Sequence, residues 1–294
     1  MKSLIKKLKE GKVLISDGAW GTFLHKRGLQ AGECPELWNV THRDDVLAIA
    51  NSYILAGVDM ILTNSFGGSP IKLDHYGLKD RTAELNKAAA EISREAAGDN
   101  HFVLGNIGPT GVMLMMGQVS EQDMFDGFRI QAEALQSGGS DTICIETMSA
   151  IDEAVLAVRA AKETTDLEVI CSFTFERTLT NEFKTMMGVT PAEMVKAIKD
   201  AGVDIIGTNC GNGFDQMIGI VEEIRRVDPV TPVLVHANAG VPLVEEDETI
   251  FPETPEMMAS KVSDLVACGA NIIGGCCGTT PEHIRALVKE IKKF

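Results

Sequence analysis

Eight short runs of apolar, largely β-branched residues recur along the chain. They fall at Val13–Ser16, Met60–Asn64, Phe102–Ile107, Thr142–Thr147, Val169–Phe175, Ile205–Asn209, Val233–Asn238 and Ile272–Gly275. After each comes a loop, then a stretch whose apolar residues return every three or four positions, as at Val46, Ile49, Ala50 and Tyr53, or Met194, Ala197 and Ile198. The first pattern is that of a strand buried on both faces, the second that of a helix with one apolar side. Thr190-Pro191, Thr254-Pro255 and Thr280-Pro281 mark helix starts, an N-cap hydroxyl before a proline whose missing N–H costs nothing in the first turn. Ala56-Gly57, Gly138-Gly139, Ala201-Gly202 and Cys268-Gly269 mark helix exits, glycine accepting the left-handed C-cap conformation just before a strand. Eight such units without a low-complexity linker predict one α/β domain over residues 1–294, a closed (β/α)8 TIM barrel. An open dinucleotide-binding sheet is disfavoured, because Asp17-Gly18-Ala19-Trp20-Gly21 lacks the GxGxxG spacing.

Charge and composition narrow the partners. The 294 residues carry a formal charge of −15, spread along the chain. Such a field repels nucleic acid and anionic membrane, so neither is expected as a partner. Residues 1–12, MKSLIKKLKEGK, are basic with scattered apolar positions. They fail as a secretory signal and are read as an amphipathic N-terminal helix at the barrel's edge. No segment approaches the roughly 18 apolar residues of a membrane span. Seven cysteines, two of them adjacent, do not suggest a disulfide framework. A reducing, cytoplasmic setting is expected, with some thiols kept for chemistry.

In this fold the functional face carries the C-terminal ends of the strands. The runs end, in order, at Asp17, Thr63-Asn64, Asn106, Glu146-Thr147, Thr174, Asn209-Cys210, Asn238 and Cys276-Cys277. Polar and metal-binding residues therefore gather at one end of otherwise apolar strands. The sixth and eighth strands flank the seventh, so their ends lie about 10 Å apart. Side chains turned inward could place Cys210, Cys276 and Cys277 around one ion, for which zinc is the expected choice. Neighbouring residues on a regular strand point to opposite faces, so Cys276 and Cys277 need a distortion there, which Gly274, Gly275 and Gly278 permit. The plain alternative is three small buried residues.

Asn238 offers an amide oxygen for an open metal position, or a simple backbone hydrogen bond. Glu146 is read either as the acceptor of a substrate ammonium or as half of a salt bridge to a loop cation. Asp17 has the same two readings, with Gly18 beside it allowing close approach of a ligand. His236 is expected to be a satisfied core histidine. Cys144, Cys171 and Cys268 are expected in the core, and Cys34 in a loop. The Met113-Leu114-Met115-Met116 cluster either lines a donor or partner surface or packs as a loop.

Asp17-Gly18-Ala19-Trp20-Gly21-Thr22, Thr63-Asn64-Ser65-Phe66, Asn209-Cys210-Gly211 and Gly274-Gly275-Cys276-Cys277-Gly278-Thr279-Thr280-Pro281 resemble the signature segments of the homocysteine S-methyltransferase family. The resemblance runs from about Leu14 to the C-terminus and implies a barrel with a three-cysteine zinc site. It assigns Cys210, Cys276 and Cys277 as zinc ligands and catalytic residues. Asp17 and Glu146 would take the homocysteine ammonium, and Thr63 and the backbone near Gly18 its carboxylate. Asn238-Ala239-Gly240 looks like the methionine synthase branch, in which that asparagine can occupy the zinc before substrate arrives. Gly67 and Gly68 stand where the betaine branch has aromatic donor-binding residues.

The resemblance implies zinc-dependent methyl transfer to the thiol of homocysteine, giving methionine. A free thiol is mostly protonated at neutral pH, and zinc removes the proton while leaving a sulfur lone pair exposed. The expected donor is methylcobalamin carried by a separate corrinoid protein or domain. S-methylmethionine or a betaine-like molecule is the alternative donor, and a non-catalytic zinc-binding barrel acting as a partner module is the alternative from another class.

Overall fold

The structure, a computed structural model, describes residues 2–245 and 248–293. Eight parallel strands form the barrel: β1 (Leu14–Ile15), β2 (Met60–Leu62), β3 (Phe102–Ile107), β4 (Thr142–Met148), β5 (Glu168–Phe173), β6 (Ile205–Asn209), β7 (Val233–Ala237) and β8 (Ile272–Gly275). They run in the order β1-β8-β7-β6-β5-β4-β3-β2. Every residue of β3, β6, β7 and β8 is buried, as expected of a parallel sheet jacketed by helices. The main helices are α1 (Arg43–Ala56), α2 (Thr82–Ala97), α3 (Glu121–Ser137), α4 (Ile151–Thr164), α5 (Pro191–Asp200), α6 (Phe214–Val227), α7 (Val262–Cys268) and α8 (Pro281–Ile291). The Thr-Pro starts stand where expected: Thr190 closes a capping box over α5, and Thr280 one over α8 with His283 as its partner. Among the described residues, no helix is long and apolar enough to cross a membrane.

The N-terminal segment is shorter than expected. Only Leu4–Leu8 are helical, and they sit under the barrel rather than at its edge. Leu4 is fully buried, while Ser3 Oγ and the Leu4 and Ile5 N–H groups donate to the Glu168 carboxylate at the start of β5. Five residues suffice because the carboxylate satisfies N–H groups that a helix start leaves unpaired.

The same end of the barrel carries a repeated device. Asp59, Asp141, Asp204 and Asn271 each stand immediately before an even-numbered strand. Their side-chain oxygens accept the backbone N–H of Ile15, Val103, Val169 and Val233, on the preceding odd strand, at 2.7–2.9 Å. Each also donates its own N–H to that same residue's carbonyl. Three of the four are tied to the helix before the odd strand: Arg94 of α2 to Asp141, Lys162 of α4 to Asp204, and Arg225 of α6 to Asn271.

At the seam between β1 and β2 the device does more, because no regular ladder joins those strands. Asp59 ties the lower end, and Asp17 Oδ2 ties the upper end by accepting the Leu62 N–H at 2.9 Å.

Asp204→Ala is expected to lower unfolding free energy by about 1–3 kcal/mol, since it strands the buried Val169 N–H. Urea unfolding followed by circular dichroism checks this; an unchanged midpoint would show that the device holds nothing.

Candidate functional site

At the C-terminal mouth, a cavity of about 330 Å³ is lined by Gly18, Trp20, Thr63, Asn106, Glu146, Cys210, Cys276 and Cys277, among others. The three cysteines arrive there by two backbone distortions. Cys210 follows β6 in a left-handed conformation, φ 59°, and Gly211 continues it at φ 72°. Left-handed backbone is costly for a residue with a Cβ; here it turns the Cys210 side chain off the strand direction and over the mouth. β8 stops at Gly275, so Cys276 and Cys277 lie in a turn rather than on the strand. The Cys276 N–H donates to Ala237 O, and Thr279 closes the turn through its N–H and hydroxyl to Cys276 O. Gly275 has to be glycine, because a Cβ would lie 2.3 Å from Thr279 Oγ1.

The three sulfurs lie within 4.8 Å of one another, and Cys210 Sγ is 3.8 Å from Cys277 Sγ. That is far beyond a disulfide bond of about 2.05 Å. It equals the edge of a tetrahedron built on metal–sulfur bonds of about 2.3 Å, roughly 3.8 Å.

The electrostatics of the donor set agree with the geometry. The thiols of Cys276 and Cys277 donate to Cys210, which holds its thiol down to about 3, with help from the Gly211 N–H and the Asn238 amide and against the effect of burial. The anion so formed raises the other two, Cys277 to about 12 and Cys276 well above the ordinary thiol range. One charge is tolerated and three are not, unless a cation joins them. The residues present therefore fit a thiophilic divalent ion.

Glu146 is aimed by a bulge. Pairing between β4 and β5 slips between Ile145 and Met148, and Thr147 adopts φ 64°. Asn209 holds that kink through the Thr147 N–H and hydroxyl. Glu146 is buried, with Oε1 accepting from Asn106 Nδ2 at 2.8 Å. It pairs with no lysine or arginine among the described residues, so the salt-bridge reading does not describe it. Asn106 was legible only as a polar residue ending the third strand; the structure makes it Glu146's nearest partner.

Asp17 is brought to the same region but not into the cavity. It is fully buried, and its carboxylate is occupied by Trp20 Nε1, Leu62 N–H and Ser16 Oγ. Burial pushes it up to about 6 despite those donors. Those bonds tie β1 to β2 and to Trp20, a use that neither reading of the sequence included.

Thr63 lines the cavity with its hydroxyl committed: Ser65 Oγ donates to Asn106 O, Thr63 must donate to Ser65, and Thr63 accepts from Asn106 N. No proton is left there for a carboxylate. Gly18 borders the cavity, its N–H without an acceptor among the described residues. A Cβ at Gly18 would meet Thr279 Oγ1 at 2.5 Å. Asn238 is buried, its N–H bonded to Asn212 O and its Oδ1 without a partner among the described residues, so the backbone hydrogen bond expected of that oxygen is not made and the metal-facing reading is the one left.

His236 departs from expectation. It is buried, yet neither ring nitrogen has a partner among the described residues. Cys144 and Cys171 are core residues as expected, Cys268 is half-buried, and Cys34 is a buried thiol beside Glu36. Glu36 itself, far from any motif, accepts the Gly67 N–H and walls the cavity. The methionine cluster stays exposed at Met113, Met115 and Met116. Met113, Leu114 and Met115 border, with Met186, Met187 and Thr147, a second cavity of about 390 Å³ that adjoins the first.

Fold and site together define a barrel enzyme whose strand ends present a cysteine triad beside a small polar cavity. Residues 14–291 match the family described as Homocysteine S-methyltransferase. The chain is 31% identical over 305 residues to the methionine synthase of Mycobacterium tuberculosis (strain ATCC 25618 / H37Rv), covering 96% of itself and 25% of that protein. It is 29% identical over 302 residues to the methionine synthase of Mycobacterium leprae (strain TN), covering 96% and 24%. The chain thus spans about a quarter of the length of these relatives. The metallated homocysteine methyltransferase MmuM from Escherichia coli superposes with a TM-score of 0.78 at 22% identity, over 97% of this chain and 98% of that one, a likeness of fold. The chain belongs to the homocysteine S-methyltransferase family.

Two outcomes are expected from the charges described. A carboxyl with a pKa near 6 folded and 3.8 unfolded binds more protons folded between those values. Its contribution is therefore full below about 4 and lost as pH rises to about 6, roughly 3 kcal/mol in all. Asp17→Asn should gain about that much on wild type between pH 4 and 7, read from urea unfolding at each pH; a pH-independent difference would refute it. In metal-free protein at pH 6, Cys210 should be alkylated by iodoacetamide ahead of Cys276 and Cys277, as peptide mapping will show.

Proposed function

We propose that the chain transfers a methyl group to the thiol of L-homocysteine, giving methionine, with zinc held by Cys210, Cys276 and Cys277. The observation that carries the reading is the 3.8 Å sulfur separation at the mouth, beside a carboxylate that has no cationic partner of its own. Zinc in that position would supply a Lewis acid that keeps an incoming thiol ionised at neutral pH with a lone pair still available.

The chain's own residues do the rest. Glu146 accepts the substrate ammonium, its carboxylate already fixed by Asn106. Backbone N–H groups near Gly18 take the substrate carboxylate, with Thr63 shaping that wall rather than donating to it. Asp17 acts beneath the site by holding β1, β2 and Trp20 in place. Amino acid and sulfur are thereby held within one cavity of about 330 Å³. The substrate sulfur, its proton released to solvent, then attacks the methyl carbon in line: the new S–C bond forms as the donor–C bond breaks, and that electron pair leaves with the donor. Alignment of the two reactants is the protein's contribution, with no covalent enzyme intermediate.

The donor is read as a methyl-corrinoid on a separate protein or domain. Supporting it are the quarter-length match to methionine synthases, the Asn238-Ala239-Gly240 segment, and the exposed methionines around the adjoining cavity, soft apolar side chains that adapt to a large partner. A second reading rests on Asp152, Glu153 and Glu176, which line that same cavity and favour a cationic small donor such as S-methylmethionine.

The test assays zinc-loaded protein with homocysteine against methylcobalamin, S-methylmethionine and betaine in turn. Methionine formation from methylcobalamin is expected, and Cys210→Ser should abolish both zinc retention and turnover. Glu146→Gln should keep its zinc while the KM for homocysteine rises about 10- to 100-fold, the ordinary effect of losing a hydrogen-bonded charge. Turnover that survives loss of the cysteines would overturn the assignment.

A further inference from the structure

His236 is a buried polar group beside the cavity that the preceding roles leave without a task. It lies in β7, in register with Asn209 of β6 and Gly274 of β8. It is 1% exposed, with both ring nitrogens unpaired among the described residues. Unmet polar atoms in a dry interior cost stability, so an apolar side chain of similar size would serve mere packing better. The ring's place is shaped from outside: a Cβ on Gly274 would lie 2.9 Å from its Cδ2, so β8 carries no side chain there. Nδ1 faces Glu146 Oε2 at 3.9 Å. That is too long for a hydrogen bond, and about 1 Å of side-chain adjustment makes it one. The other carboxylate oxygen already holds Asn106 Nδ2 at 2.8 Å.

We propose that His236 is a positioning residue for amino-group recognition. With Nδ1–H on Oε2 and the Asn106 amide on Oε1, the Glu146 carboxylate is gripped from β7 and β3 at once. Its remaining lone pairs then face the cavity, where the ammonium of an amino-acid thiol arrives. A carboxylate free to rotate would have to be ordered by each incoming substrate; a gripped one is ordered in advance. His236 acts through Glu146, and it makes the site select an α-amino thiol over a thiol that lacks the amine. This rests on the reading of Glu146 as the ammonium acceptor.

The experiment is calorimetric titration of zinc-loaded protein with homocysteine and with 4-mercaptobutanoate, which is homocysteine without its amino group. His236→Leu should weaken homocysteine about 10-fold, the scale of one lost hydrogen bond to a charged group, and change 4-mercaptobutanoate by less than about twofold. His236→Asn, which keeps a donor near the place of Nδ1, should recover homocysteine affinity to within about threefold. Equal losses for both ligands, or an unchanged preference for the amino compound in His236→Leu, would overturn the proposal. Should His236→Leu fold poorly or lose zinc, His236→Asn against His236→Gln decides: the asparagine must keep the preference and the glutamine, whose donor sits near the place of Nε2, must lose it. Glu146→Gln separates the two claims. If it leaves the preference intact, the reading of Glu146 fails; if it abolishes the preference while His236→Leu does not, only the role of His236 fails.

Discussion

Three sulfur atoms held within 4.8 Å of one another, two of them 3.8 Å apart, over a half-buried niche cannot all carry charge unless something positive lies among them. In water the repulsion between two such charges is about 1 kcal/mol, and in the lower dielectric of a barrel mouth it is several times larger. Much of the local backbone serves that approach. Cys210 accepts a left-handed conformation, β8 stops one residue short of its cysteines, and Gly275 gives up a side chain to Thr279. A core made only for packing would have no use for these costs. The strain is spent where the strands end, and the sheet below is regular.

The fold was legible because its period is written in residues of few alternative uses. Eight β-branched runs, four of them preceded by a glycine-marked helix exit, leave little choice of topology, and all eight strands lie within two residues of the runs that foretold them. The run at β2 extends to Asn64, but the strand ends at Leu62, where Asp17 takes over the N–H pairing. The cysteines were legible for a related reason, since a vicinal pair between glycines at a strand end has poor packing value.

What stayed hidden depends on distances across the barrel. Nothing local to Asp17 says that its carboxylate lies against Leu62 N–H, 45 residues away. Nothing local to Thr63 says that a hydroxyl relay through Ser65 spends its only proton. His236 looked like an ordinary interior histidine because its neighbours on the strand are apolar; the group that matters to it stands on β4. Glu36 belongs to a single 3-10 turn, Pro35–Leu37, with no motif, and at the cavity wall it accepts the Gly67 N–H. Residue type announced the chemistry, while the partner of each polar atom had to come from the folded chain.

The clasps at the opposite end of the molecule have a bearing of their own. Each joins an odd strand to the even strand after it, and never an even strand to the next odd one. The barrel is therefore composed of four doublets, each latched at its base, with Arg94, Lys162 and Arg225 buttoning one doublet to the next. A chain opened between doublets keeps all four latches, whereas one opened inside a doublet parts a latch from its strand. The natural places to cut, permute or graft this protein are thus the connections after β2, β4 and β6, although every connection crosses a similar helix.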